Sequence, residues 1–448
     1  MNAVLVAVVL MLVLSLLRVH VVVALFLGAL SGGLVAGMGL DRTLIAFQDG
    51  LGGGAKIALS YALLGAFAMG VAATGLPKLL ADFLLHRINS DGSSAKAASA
   101  TKWLLVAGII AMAVMSQNLI PVHIAFIPLL VPPLLNVMNK LRLDRRLITC
   151  CITFGLVTTY MFIPVGFGSI YLNDILLYNI GEAGLDTSGI NVMQVMAFPA
   201  LGMLVGVLIA IFVTYRTPRD YADVSLGTAP EKAPDVSRYK VAVAMVAIVA
   251  TFVVQILMQS LGFEADGLLV GALIGLAILL VTGAVNFRNA DDIFSQGMKM
   301  MALIGFIMIT AQGFAAVMSA TGEVESLVTT AGDVFGDNKF AAAGAMLLVG
   351  LIVTMGIGSS FSTLPVIAVI FVPLAVSLGF SPAATVALVG TAGALGDAGS
   401  PASDSTLGPT AGLNADGQHD HVRDSVIPTF IHFNIPLLIA GWAAAMIL

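Results

Sequence analysis

The stretch GTAGALGDAGSPASDSTLGPTAGLNADGQHDHVRDSVIPTFIHFNIP, Gly390 to Pro436, decides how the chain is read. It places Asp397, Ser400, Ser403, Asp404, Ser405, Thr406 and Asn414 among glycines and prolines, between two apolar runs long enough to lie in lipid. Backbone that is neither helix nor barrel strand persists at membrane depth only where protein encloses it or a watery cavity borders it, because bare N–H and C=O groups in hydrocarbon are costly. A carboxylate at that depth is equally costly and points to function. Asp397 and Asp404 are therefore expected at the centre of a small-ion or substrate site, with the rest of the chain as its walls.

The composition fits such a setting. Of 448 residues, 59% are hydrophobic and 10% charged, and the mean hydropathy is +1.02, whereas soluble domains carry roughly 25% charged residues. This describes an all-α polytopic membrane protein whose principal surroundings are the lipid bilayer. A net charge of -5 and only short basic clusters exclude nucleic-acid binding. Cys150 and Cys151 are adjacent in an apolar run, which excludes a disulfide framework and a cysteine metal site and leaves core packing. The opening MNAVLVAVVLMLVLSLLR lacks a basic region before its apolar stretch and a small-residue cleavage site after it, so it reads as the first span.

Run lengths place membrane segments at about 3–17, 21–39, 57–77, 103–137 (broken), 147–163, 192–214, 241–260, 267–285, 300–319, 340–378 (broken), 383–396 and 428–447. Basic residues in short loops face the cytoplasm. The links 78–102, 139–146 and 215–240 are basic and are placed inside; 261–266 and 320–338 are acidic and are placed outside. Residues 215–240, rich in proline and charge, read as a mobile cytoplasmic linker between a first membrane repeat, 1–214, and a second, 241–448.

The halves echo each other. GALSGG at Gly28 parallels GALIG at Gly271, FQDG at Phe47 parallels FSQG at Phe294, Lys56 matches Lys299, and AATG ending at Gly75 matches SATG ending at Gly322. SQNLIPVHIAFIPL from Ser116 parallels SSFSTLPVIAVIFVPL from Ser359. The loop after Gly75 is basic and the loop after Gly322 acidic, so corresponding links fall on opposite sides of the membrane. That is the pattern of two inverted-topology repeats, in which broken helices meet near the midplane.

Each half is interrupted twice. Ser116, Gln117 and Asn118 precede Pro121, answered by Ser359, Ser360, Ser362 and Thr363 before Pro365; proline removes a donor and disfavours helix at the residue before it. The second interruption is the opening stretch, whose first-half partner is PVGFGSIYLND, with Asn173 and Asp174. Freed carbonyls and hydroxyls suit cations. Asp404 and Ser405, with Ser400, Ser403, Thr406 and nearby carbonyls, are expected to ligate Na+, and Asp397 to share that shell or carry a proton. Asp and Ser before a helical turn are also ordinary caps. His419-Asp420-His421 reads as a solvated turn, while His432 and Asn434, inside an apolar run, are candidates to line the pathway, as is His123.

With these residues in hand, GDAGSPASDSTLGPTAGLNADGQHDH followed by PTFIHFNIP resembles the signature of a bacterial group of Na+/H+ antiporter family proteins, related to the NhaC antiporters and including members predicted to carry amino acids such as histidine. The resemblance implies the ion-transporter superfamily fold: two inverted repeats, each with a re-entrant hairpin and a broken helix, often assembled as a homodimer in the bacterial cytoplasmic membrane. Carried over by motif position, it puts Asp397, Ser400, Asp404, Ser405 and Thr406 at the second-half site and Ser116 to Asn118 at the first-half break. The expected function is secondary active transport by alternating access, as Na+/H+ antiport or as Na+- or H+-coupled movement of an amino acid or other small organic solute. No cofactor is expected beyond Na+ or H+ as coupling ions. Enzyme activity is not expected: an intramembrane aspartyl protease needs a second aspartate on a neighbouring span, and Asp174 stands in the wrong local context. No repeated filter residues suggest a channel.

Overall fold

The computed structural model describes residues 2–17, 19–76, 79, 95–119, 123–222, 224, 237–261, 263, 267–323, 326, 338–357, 359–401 and 403–448. Among the described residues every regular element is helical. The first half runs α1 (Ala3–Leu16), α2 (Val21–Val35), α3 (Gly39–Ala73), α4 (Ala95–Val114), α5 (His123–Lys140), α6 (Arg145–Tyr160), α7 (Phe167–Ser169, Ile170–Leu177 and Tyr178–Glu182) and α8 (Val192–Ile209, prolonged by Ala210–Thr214). The second half repeats the order: α9 (Arg238–Ser260), α10 (Gly267–Val281), α11 (Phe287–Ala320), α12 (Lys339–Ile357), α13 (Ser360–Ser377), α14 (Pro382–Ala394), α15 (Asp404–Leu413) and α16 (His421–Val426, Ile427–Thr429, Phe430–Asn434 and Ile435–Ile447). Ala100–Asn118, Val192–Thr214, Arg238–Met258, Ser360–Ser377 and His421–Ile447 are each long and apolar enough to cross a membrane, and shorter apolar helices accompany them. The chain is a multi-pass membrane protein. Its outward faces carry exposed apolar side chains such as Phe212, Val213, Val246 and Ile256, as lipid contact requires.

Small residues and caps set the details. Asp144, Asn191, Asn286 and Ser381 each accept a backbone N–H at the start of a helix, and Pro382 occupies the first turn of α14, where its missing donor costs nothing. The expected spans 57–77 and 300–319 are the later portions of two long helices, α3 with 35 residues and α11 with 34.

The direction of the repeats follows from what the glycines touch. Gly50 of α3 faces Gln312 and Ala316 of α11, Gly305 faces Ala58, and Gly297 faces Ala66. As numbers rise along α3 they fall along α11. In the same way Gly202 of α8 faces Pro436 and Ala440 of α16, and Gly206 faces His432. Equivalent helices therefore pair antiparallel, at glycines that let backbones approach. A two-fold axis along the membrane normal would leave them parallel, so the axis lies in the membrane plane and the repeats are inverted.

The structure also corrects the register of the repeat. His123 pairs with Ser360, Arg145 with Pro382 and Phe167 with Asp404, all at helix starts and all at one constant separation along the chain. At that separation Pro128 rather than Pro121 stands opposite Pro365, and Pro365 lies inside α13 and not at the hairpin break before it. Pro121 itself lies outside the described residues.

The linker between the halves is less loose than its composition implies. Arg219 N donates to Arg142 O at 3.0 Å, Asp220 pairs with Arg142 at 2.5 Å, Ala222 N donates to Gln418 Oε1 at 2.8 Å, and Arg145 N donates to the Tyr221 hydroxyl at 3.0 Å. Residues 225–236 of the linker lie outside the described residues.

Candidate cation and substrate site

Between α14 and α15 the chain unwinds. Helix cannot continue through Gly396 (φ 90°) and Gly399 (φ 145°), and at Gly399 a Cβ would strike Phe430 and Asn434. Ser403 then caps α15, accepting from Ser405 N at 3.2 Å. The freed backbone is satisfied from a neighbouring helix: Asn434 accepts from Gly396 N at 2.7 Å and donates Nδ2–H to Ala398 O at 3.1 Å. Thr406 Oγ1 donates to Ser400 O at 2.5 Å, Ser400 Oγ donates to Met355 O at 3.2 Å, and Thr153 of α6 donates to Ser405 O at 2.7 Å.

Asp397 is the group this framework encloses, with 8% of its surface exposed. Oδ1 accepts from Ser403 Oγ at 2.5 Å, with Ser405 Oγ at 3.4 Å. Oδ2 accepts from Ser360 Oγ at 3.0 Å and from the Tyr160 hydroxyl. Four hydroxyls, from α6, α13, the α15 cap and α15 itself, converge on one carboxylate, and among the described residues no Lys or Arg pairs with it. Around the Tyr160 ring lie Tyr171 at 4.8 Å, Phe361 at 5.2 Å and Phe167 at 6.3 Å, an aromatic wall beside the hydroxyl cluster.

The first half forms the matching crossing with different contents. Its hairpin break is a π-helical turn, Met115–Leu119, and Gly166 (φ 58°) packs directly on Asn118 O, where no Cβ would fit. Ser116 Oγ donates within its own helix to Ala113 O at 3.0 Å, and Asn118 Nδ2 lies 3.4 Å from Thr159 O. Among the described residues, Gln117 Oε1, Asn118 Oδ1 and Thr158 Oγ1 are buried without hydrogen-bond partners, as is Ser362 Oγ in the second half.

The remaining candidates fall as follows. Asp404 occupies the first turn of α15 but is exposed, and its carboxylate makes no hydrogen bond or ion pair among the described residues. The expectation that Asp404 centres the shell therefore shifts to Asp397, because the unwound segment encloses only one of the two acids. Ser359 is half-buried at the start of α13, where its carbonyl accepts from Thr363 Oγ1 at 3.0 Å. Asn173 donates to Ser169 Oγ at 3.0 Å within α7, and Asp174 is half-buried in the same π-helical segment. His432 is a satisfied core histidine: Nδ1 lies 2.7 Å from Pro428 O and Nε2 2.9 Å from Thr214 Oγ1, where α8 and α16 cross. The side chain of His123 lies outside the described residues. His419 and His421 do not form a solvated turn. His419 is buried with Nε2 2.8 Å from Ser425 Oγ, and His421 bridges Thr410 Oγ1 (2.8 Å) and Pro401 O (2.9 Å). Cys150 and Cys151 are free and fully buried, as core packing requires.

Sequence reading missed Tyr160. The available signal was positional: a phenolic hydroxyl ends an apolar helix just before Pro164, at the separation from Asp397 that relates the two repeats, so the pair occupies equivalent positions.

Inverted repeats crossing at two unwound segments, with an enclosed carboxylate at one of them, define a membrane transporter fold. Residues 151–442 match the Na+/H+ antiporter family, and residues 2–88 match a second grouping described as Na+-H+ antiporter family. The chain belongs to the Na+/H+ antiporter family and is a transporter of that family. It is 53% identical, over the whole of both chains, to an uncharacterized membrane protein of Vibrio parahaemolyticus. It is 51% identical, again over all of both chains, to a Bacillus subtilis protein named "Putative amino acid transporter YuiF". Among solved structures, the YdaH transporter of Alcanivorax borkumensis shares the fold with a TM-score of 0.57 at 15% identity, covering 88% of this chain and 86% of that one.

Proposed function

We propose that the chain is a cation-coupled secondary active transporter of the bacterial cytoplasmic membrane, working as a Na+/H+ antiporter in which Asp397 is the exchanging group. One observation carries this: a carboxylate enclosed by four hydroxyls with no basic partner among the described residues. An enclosed, uncompensated charge costs several kcal/mol, so Asp397 needs a counter-charge, either a proton or a metal cation. The hydroxyls serve both states. Tyr160, Ser360, Ser403 and Ser405 donate to the bare carboxylate, and each can turn a lone pair toward Na+, by analogy with other hard cations that prefer oxygen ligands. Proton and Na+ compete for one group, so release of one accompanies capture of the other. Tyr160 belongs to the first repeat and the other groups to the second, so movement between the repeats alters the shell and exposes it to each side in turn.

A second reading, cation-coupled transport of an amino acid or similar solute, is favoured by the buried, unpartnered oxygens of Gln117, Asn118 and Ser362 and by the name of the B. subtilis relative. Proteoliposomes test both. Na+-dependent proton movement is expected for wild type and for Asp404→Asn, and is expected to fall to the level of empty liposomes for Asp397→Asn. Exchange that survives Asp397→Asn removes the proposal. Labelled histidine uptake that follows the Na+ or proton gradient selects the second reading.

A further inference from the structure

We propose that a cavity of about 800 Å³ between α3, α7, α11 and α13 is the outward-facing capture site for a small organic solute bearing an ammonium group. The inference rests on the transport reading above and adds to it a class of cargo. The cavity is lined by Asp49 of α3, Tyr178, Asn179 and Glu182 of α7, and Gln312 and Ser319 of α11, with Val369 and Pro373 of α13 as its apolar side. Its lining reaches Gly322, at the start of an acidic link, so it opens on the face opposite the basic loops.

Volume, charge and hydrogen bonding argue for the same occupant. Sites for small molecules span roughly 300–1,000 Å³, far more room than a single dehydrated metal ion fills. The lining holds two carboxylates and no Lys or Arg, and neither Asp49 nor Glu182 is in an ion pair among the described residues.

The amides fix the polarity. Asn179 Nδ2 donates to Ile175 O at 2.7 Å, so Asn179 presents its oxygen to Gln312, and Gln312 Nε2 donates to it at 2.8 Å. Gln312 is only 9% exposed, and its Oε1 has no hydrogen-bond partner among the described residues. The lining thus offers unclaimed acceptors, Gln312 Oε1 and two carboxylates, beside Tyr178. That set matches a group that only donates, and an aromatic ring attracts the same charge. Val369 and Pro373 lie on α13, whose first residue is Ser360, a donor to Asp397. A solute captured here therefore bears on the helix that begins at the coupling carboxylate.

The test uses the full-length protein in proteoliposomes. Because Cys150 and Cys151 are fully buried, Ser319→Cys supplies the reachable thiol. Its modification is timed with 2-(trimethylammonium)ethyl and 2-sulfonatoethyl methanethiosulfonates, each normalised to its rate with free 2-mercaptoethanol. The cationic reagent is expected to react at least about tenfold faster, the low end of electrostatic steering, and Asp49→Asn with Glu182→Gln is expected to bring the two rates together. A mixture of the common L-amino acids is expected to slow modification, and the same mixture N-acetylated, which masks the ammonium, is not. Equal normalised rates for the two reagents, or equal effects of the two mixtures, overturn the proposal. Repeating the protection in Asp397→Asn separates the two claims. Exchange without protection leaves the carrier and removes the capture site; protection alongside Na+/H+ exchange that survives Asp397→Asn does the reverse.

Discussion

At the first-half crossing, Gln117, Asn118 and Thr158 hold buried oxygens with no partner among the described residues, whereas at the second-half crossing Asp397 is met by four hydroxyls. The backbones are alike: a hairpin break lies against a helix break, each with a glycine at positive φ. The side chains are not. Inverted symmetry supplies two unwound segments, but charge need be carried by only one of them, since a second enclosed carboxylate would repel the first and add its own desolvation cost. The ends of the equivalent helices differ too. Arg145 at the start of α6 is fully buried and pairs through both Nη atoms with Asp416 at 2.5 and 2.6 Å, while its counterpart Pro382 at the start of α14 carries no charge. An ion pair latches the end that bears the basic loops; a serine caps the opposite one.

The largest effect on stability is expected where that difference is greatest. Arg145→Met leaves Asp416 without its partner and is expected to cost about 3 kcal/mol or more in folding stability, read as a drop in thermal unfolding temperature. Ser381→Ala at the equivalent end is expected to cost only ~1 kcal/mol. Equal costs would erase the distinction between the ends.

Tyr160→Phe comes next. It keeps the ring beside Tyr171 and Phe361 but deletes one donor to Asp397. A hydrogen bond to a charged group contributes about 1.5–3 kcal/mol, so transport is expected to slow roughly tenfold to a hundredfold while the protein stays folded. An unchanged rate would show that the first repeat contributes nothing to the carboxylate.

A smaller effect tracks pH near the buried ion pair. Burial lowers His419 from 6.5 to about 4, so the folded protein keeps it neutral where the unfolded chain takes up a proton. Its contribution is intact above 6.5 and is lost as pH falls from 6.5 toward 4. Asp416 behaves differently: burial raises it, but the hydrogen bonds and charge of Arg145 together with the hydrogen bonds from Gln418 outweigh burial and hold it below the usual carboxylate value, so its share is lost only at lower pH. Unfolding temperature is expected to fall across the upper window in wild type and to stay flatter in His419→Gln; parallel profiles would place the titration elsewhere.

Least of all is expected from Ser362→Ala. Its hydroxyl is buried without a partner among the described residues, so removal is expected to be neutral or stabilising by up to ~1 kcal/mol. Lost transport in a stable Ser362→Ala protein would reveal that this oxygen finds a partner in another state of the cycle.

Much of the fold is legible in the residues alone. Run lengths locate most of the long apolar helices, and glycine marks the second break in each half, whereas Ser360, Ser362, Thr363 and Pro365 lie within α13 and not in a broken tract. Loop charge sorts the links into two groups, and the ion pair of Arg142 with Asp220 brings two of the basic links together. Asn434 stands out as a polar residue inside an apolar run, and it braces the unwound backbone on both sides of Asp397. Residue order was enough to establish that the chain lives in lipid, that it is a repeat, and that its polar centre lies between Gly390 and Pro436. It took the packing of the folded chain to select Asp397 over Asp404 as the enclosed acid and to bring Tyr160 to it from the other repeat. Hydropathy and helix-breaking residues act locally, but in an unwound segment no periodicity relates neighbouring side chains to a face. Which acid is shielded depends instead on what packs against it from the other half of the chain.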